Sequence, residues 1–117
     1  MQEEVKNLLD ELKGTTGVIG CGLVTKDGRP VEMRLPENMN LETVAIMCAT
    51  VFGGSMTLST EAGRATPQSI RIKSEGYKTS IYQCGRRSLA IVMMEEKSDM
   101  ERVRDLVQRL GTEFGSI

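Results

Sequence analysis

Apolar residues Val5, Leu8, Leu9 and Leu12 recur at i, i+3, i+4 and i+7, so Glu3 to Lys13 predicts an amphipathic helix that Gly14 ends. The pattern then changes period. Thr15 to Thr25 is β-branched, rich in glycine and without charge, and Lys26-Asp27-Gly28 supplies turn chemistry before a second strand over Pro30 to Leu35. Pro36 breaks the chain, Asn40 is a good N-cap, and Glu42 sits favourably in the first turn of a helix running from Leu41 to near Glu61. Three strands follow over Pro67 to Ser74, Tyr77 to Cys84 and Ser88 to Glu96, separated by Glu75-Gly76 and Gly85-Arg86-Arg87. A capping box, Ser98-Asp99-Met100-Glu101, opens a last helix whose stripe is Met100, Val103, Leu106, Val107, Leu110 and Phe114, with Gly111 a candidate early stop. The order αββαβββα predicts an α+β fold: one antiparallel five-stranded sheet that needs cover on both faces.

The second helix breaks the usual pattern. From Thr43 to Thr60 it holds eighteen residues without an acidic or basic side chain. At 100° per residue, Leu41, Val44, Ala45, Cys48, Phe52, Ser55 and Met56 gather on one side, assigned here to the sheet. Thr43, Thr50 and Thr57 recur every seven residues on roughly the opposite side, flanked by Met47, Val51, Gly54 and Leu58, where a solvated helix would carry Lys, Glu or Arg. Three explanations compete. A membrane span is barely long enough, and its six Ser/Thr and two Gly make insertion poor. Burial by the rest of the chain conflicts with the need for the other helices on the opposite sheet face. Burial against a second protein accounts for both the missing charge and the small residues. Ile70 and Ile72 alternate with Ser69, Arg71 and Lys73, the pattern of a half-buried strand whose charges discourage indiscriminate edge pairing but leave the edge open to a specific partner.

Composition narrows the chemistry. At 117 residues and 39% hydrophobic content the chain suits a single domain spanning 1–117. Fifteen basic against sixteen acidic residues, with only Phe52, Tyr77, Tyr82 and Phe114 aromatic, give neither the field nor the stacking surfaces of a nucleic-acid binder. Histidine is absent, which removes His-based triads and Cys/His zinc sites. Cys21, Cys48 and Cys84 are odd in number, widely spaced and without a Cys-x-x-Cys, so they are read as buried hydrophobes rather than a metal or redox cluster. With no basic, apolar leader at the start, a cytoplasmic location is expected.

Gly17, Gly20 and Gly22 are followed by neither a G-x-G-x-x-G nor a Walker lysine, and are read as strand glycines that let a helix pack closely. Gly53-Gly54 is read as a close-packing site and the eight methionines as core and interface filler. Arg86-Arg87, on a turn, has three readings: plain solvation, contact with an acidic partner, or an arginine finger. Glu95, Glu96, Asp99 and Glu101 are read as complementing a helix dipole.

The order of elements, the uncharged second helix and the run Gly17-Val18-Ile19-Gly20-Cys21-Gly22-Leu23-Val24-Thr25-Lys26-Asp27-Gly28 resemble the Roadblock family, whose members include dynein light chains and regulators or scaffolds of Ras-like GTPases. Leu41 to Ala45, Ile70 to Ser74 and Ser88 to Val92 match as well, so the likeness spans essentially the whole chain. The resemblance implies a central helix on one sheet face, the terminal helices on the other, and homodimers that pair central helices and third strands. The candidate interface is then Thr43, Met47, Thr50, Val51, Gly54, Thr57 and Leu58 with Ile70, Arg71, Ile72 and Lys73. It also implies a partner, a small Ras-like GTPase or a larger assembly, bound without hydrolysing nucleotide; no cofactor, metal, nucleic acid or membrane insertion is expected from the residues themselves. The alternative is a small-molecule sensor of related fold, which would need an enclosed pocket with converging polar groups.

Overall fold

The strand richest in apolar residues occupies the centre of the sheet. In the computed structural model, which describes residues 3–114, β5 (Ser88–Glu95) is buried from Ser88 to Met94, so both of its faces are covered. It pairs antiparallel with β1 (Val18–Thr25) on one side and β4 (Tyr77–Gln83) on the other. β2 (Pro30–Arg34) and β3 (Ser69–Ser74) form the two edges, giving the order β2-β1-β5-β4-β3. All pairings are antiparallel, as expected for an α+β sheet joined by short turns.

Alternation along β5 separates two cores. Ala90, Val92 and Met94 join Cys21 and Leu23 beneath α1 (Glu3–Lys13) and α3 (Met100–Phe114), which bring Val5, Leu8, Leu9 and Leu12 against Val103, Leu106 and Leu110. Leu89, Ile91 and Met93 face the other way, toward Ala45, Cys48 and Phe52 of α2 (Leu41–Glu61). α1 is fastened to the sheet by more than packing: the Cys21 thiol donates to the Leu9 carbonyl at 3.5 Å, and Arg34 of β2 bridges Asp10 at 2.7 Å and Glu32 at 2.6 Å.

Several expectations need correction at the element ends. β1 starts at Val18 rather than Thr15, because Thr15 to Gly17 form a turn in which Val18 N–H donates to the Thr15 carbonyl and Gly17 sits at φ +88°. β2 ends at Arg34, β3 begins at Ser69, and Cys84 and Glu96 fall just outside their strands. The cap of α3 is Asp99, whose carboxylate accepts from Arg102 N–H at 3.2 Å; the expected Ser98 hydroxyl is buried without a partner among the described residues. Gly111 does not stop α3, which continues to Phe114. The glycines of β1 serve the neighbouring strand rather than a helix: a Cβ at Gly22 would strike the Met33 side chain and the Glu32 carbonyl of β2. The three thiols are free and divided between the cores, Cys21 and Cys84 in one and Cys48 in the other. Burial pushes them up to about 12 for Cys21 and Cys48 and about 11 for Cys84, which keeps them protonated and unreactive at neutral pH.

Candidate interaction face

The cap that starts α2 is the expected one: Asn40 Oδ1 accepts from Thr43 N–H at 2.8 Å. From there α2 touches the sheet only along a narrow stripe. Ala45, Cys48 and Phe52 are buried, Val44, Ala49, Ser55 and Ser59 are half-buried, and every other residue of the helix is exposed. Leu41 and Met56, assigned above to the sheet side, are 45% and 36% exposed. The buried residues all lie between Ala45 and Phe52, so the helix meets the sheet over its N-terminal half while the part beyond Phe52 overhangs. α2 therefore is not buried by its own chain. It is long and apolar enough to cross a membrane by length and composition, yet Ala45, Cys48 and Phe52 are part of the sheet core.

The outward face carries Ile46 at 50% exposure, Met47 at 51%, Val51 at 38% and Leu58 at 71%. Thr43, Thr50, Gly54 and Thr57 are exposed among them. The threonines are less polar than their composition implies, because Thr50 Oγ1 donates to the Ile46 carbonyl at 2.8 Å and Thr57 Oγ1 to the Gly53 carbonyl at 3.2 Å. Their hydroxyl protons are engaged by the helix itself, and the methyl groups remain for contact.

α2 runs nearest β1 and β2, which leaves the β3–β4 half of the same sheet face uncovered. The result is an apolar trough of about 210 Å³ with Thr43, Val44, Met47, Cys48 and Val51 on the helix side and Ile72, Thr79, Ile81, Ile91 and Met93 on the sheet side. Strand register builds the sheet wall. Ile72 lies opposite Thr79 and Thr79 opposite Met93, while Ile70 lies opposite Ile81 and Ile81 opposite Ile91. Two cross-strand rows thus run from the β3 edge to the centre of the sheet.

Of the residues singled out in the sequence, Thr43, Met47, Val51 and Ile72 converge on this trough. Thr50, Gly54, Thr57 and Leu58 lie on the exposed remainder of α2. Ile70 is half-buried, while Arg71 and Lys73 are exposed and point to the opposite sheet face. β3 is less buried than its alternation suggested, with Ile72 at 40% exposure, because neither layer of helices reaches that edge. Sequence reasoning missed Ile46 and the sheet wall. The signal was present in the period-two spacing of Thr79 and Ile81 and of Ile91 and Met93, but only the register puts them beside α2.

A Roadblock/LC7 domain model matches residues 4–93, including both walls of the trough. The chain belongs to the Roadblock/LC7 family. Membership places it among regulatory and interaction domains. The uncharacterized protein MJ0714 of Methanocaldococcus jannaschii is 28% identical over 109 residues, covering 93% of this chain and 92% of that one. Myxococcus xanthus MglB superposes with a TM-score of 0.87 at 15% identity, covering 97% of this chain and 94% of that one. An MglB structure with tetrameric arrangement superposes at 0.85 with 19% identity, covering 97% and 87%. At these identities the structural likeness establishes the Roadblock fold.

The same face makes Gly54 informative. No atom lies within 4 Å of where its Cβ would stand, so alanine is free to enter the Roadblock chain and should stabilise the isolated helix by about 1 kcal/mol. If another helix packs against Gly54, the added methyl should weaken association in the unaltered background while raising thermal stability in a monomeric one. Paired melting and sedimentation measurements read both effects; a stability gain with unchanged association would place Gly54 outside the contact.

Proposed function

We propose that this Roadblock/LC7 chain works as a homodimer that binds a small Ras-like GTPase, or holds one in a larger assembly, without catalysing a reaction itself. The observation that carries the dimer is the trough: an apolar, half-roofed sheet surface beside a helix face with no charge. A second copy related by a twofold axis perpendicular to the sheet beside β3 would set its β3 antiparallel to this one and its α2 on the same face of the continuous sheet. The interface would then be Thr43, Met47, Thr50, Val51, Gly54, Thr57 and Leu58 of α2 with Ile70, Arg71, Ile72 and Lys73 of β3. The sensor alternative is not favoured, because the trough is open along one side and its lining is apolar apart from Thr43 and Thr79.

Pairing the β3 edges has an electrostatic consequence. Arg71, Lys73 and Lys78 share the sheet face opposite α2, with Lys73 directly across from Lys78, and none is in an ion pair among the described residues. A twofold axis doubles this strip, so like charges oppose assembly while uncharged α2 faces favour it. Raising salt from about 50 to 500 mM should therefore tighten the dimer, since screening removes repulsion and leaves apolar burial intact. Sedimentation equilibrium at both concentrations checks the sign; a weaker dimer at high salt would indicate an interface held by ion pairs.

The GTPase part rests on family membership and is tested by recovery. The immobilised dimer, exposed to native extract, should retain a small GTPase, and the purified pair should be assayed for altered nucleotide turnover. Capture of a GTPase that the dimer leaves unchanged would support the scaffolding form. Repeated capture of other proteins with no GTPase among them would overturn the proposal.

A further inference from the structure

We propose that the cleft between the β1–β2 and β4–β5 turns, bordered by Ile46 at the edge of the α2 face, is a docking site for an acidic segment of a partner protein, a function separate from the trough beside β3. Because β1 pairs with β5 up to Thr25 opposite Ser88, the two turns stand side by side, joined by Lys26 N–H donating to the Arg87 carbonyl at 2.8 Å. Between them is a cleft of about 340 Å³ lined by Thr25, Lys26, Asp27, Arg29, Arg86 and Arg87. Four cations face one carboxylate there, in a chain whose net charge is −1.

The carboxylate is already engaged. Asp27 accepts from the Thr25 hydroxyl and from Arg29 at 3.2 Å, and the Thr25 hydrogen bond is the largest of the effects that hold its pKa below the usual carboxylate range. The remaining cations have no ion-pair partner among the described residues. Lys26 Nζ donates to neutral Gln83 Oε1 at 2.7 Å and stands 5.5 Å from the centre of the Phe52 ring. Gln83 is itself fixed, donating Nε2–H to the Pro67 carbonyl at 3.0 Å, so the Lys26 ammonium is held in place with its charge uncompensated. Partial burial lowers its basicity, as expected of a cation that has lost water without gaining a counterion. Arg86 and Arg87 are exposed, and no ion pair engages them among the described residues. Two guanidinium forks beside a positioned ammonium match carboxylate geometry.

The setting favours a peptide over other anions. Phe52, the aromatic ring beside the cleft, is buried to 1% and offers no stacking surface to a base. On the α2 side, Gly28 backs onto Ile46 and Ala49, and Ile46 is half exposed. A segment with carboxylates for the cleft and a following apolar side chain for Ile46 uses both features.

The test is a titration of the full, isotopically labelled chain with the blocked peptide Gly-Glu-Glu-Leu-Glu-Glu-Gly, followed by amide chemical shifts. Saturable shifts should be confined to residues 25–29, 85–87 and the neighbourhood of Ile46. The pair Arg86→Gln and Arg87→Gln together should weaken binding about fivefold, and Ile46→Ser should weaken it in the unaltered background. The glutamine version of the peptide should not bind. The proposal is overturned if the glutamine peptide binds equally, if inorganic phosphate or an oligothymidine binds more tightly, if the double variant binds unchanged, or if no saturable shift occurs up to millimolar peptide.

Discussion

Replacing Val51 with arginine should turn the assembled protein into a folded monomer. Val51 is 38% exposed and forms part of the helix wall of the trough, so in one chain alone the arginine can extend into water at little cost. In the dimer it would be sealed against a second apolar surface without a counterion. An uncompensated buried charge costs several kcal/mol, which corresponds to a loss of at least about a hundredfold in association. The readouts are sedimentation for mass and circular dichroism for fold. A V51R protein that unfolds would mean that Val51 belongs to the core of the single chain, and one that remains dimeric would place the contact elsewhere.

One residue further along the same helix, the opposite result is expected. Phe52 is buried to 1% between Ala45, Cys48 and the inner residues of β5, and it supports Lys26 at the cleft. Phe52→Ala should destabilise the fold by about 3–5 kcal/mol, the usual cost of removing a buried ring. That is a large share of the roughly 5–15 kcal/mol that stabilises a domain, and it should lower the melting temperature by about 10–20 °C. Chemical denaturation of F52A in the V51R background isolates this effect from association. A loss under about 1 kcal/mol would contradict the placement of Phe52 as the anchor of α2. Together the two substitutions separate faces that adjoin in sequence and are about 100° apart around the helix.

Much of this division was legible in the residues. The periods of α1 and α3, the Asn40 cap and the turn glycines follow from local physics, so their elements appear where the sequence places them. The uncharged run of α2 marked an unusual helix because charge is cheap on a solvated face. Its orientation was only partly readable: 100° steps assign Leu41 and Met56 to the sheet, but a helix crossing a sheet contacts it over a limited length, here Ala45 to Phe52. Of the trough, Thr43, Met47, Val51 and Ile72 were readable as residues, but not the gap between helix and sheet. It arises because α2 runs nearest β1 and β2 while β3 stands at the far edge, and that offset depends on strand order rather than on any one segment. The basic cleft was half visible: Arg86-Arg87 was marked as a turn, but Lys26 joins it only through the pairing of β1 with β5.

In the proposed dimer the exposed α2 face and the β3 edge meet a second copy of the chain. Sedimentation equilibrium on the unaltered protein tests it most directly. Across about 5–100 µM the expected species has twice the 12.9 kDa chain mass. A single 12.9 kDa species at tens of micromolar would contradict it.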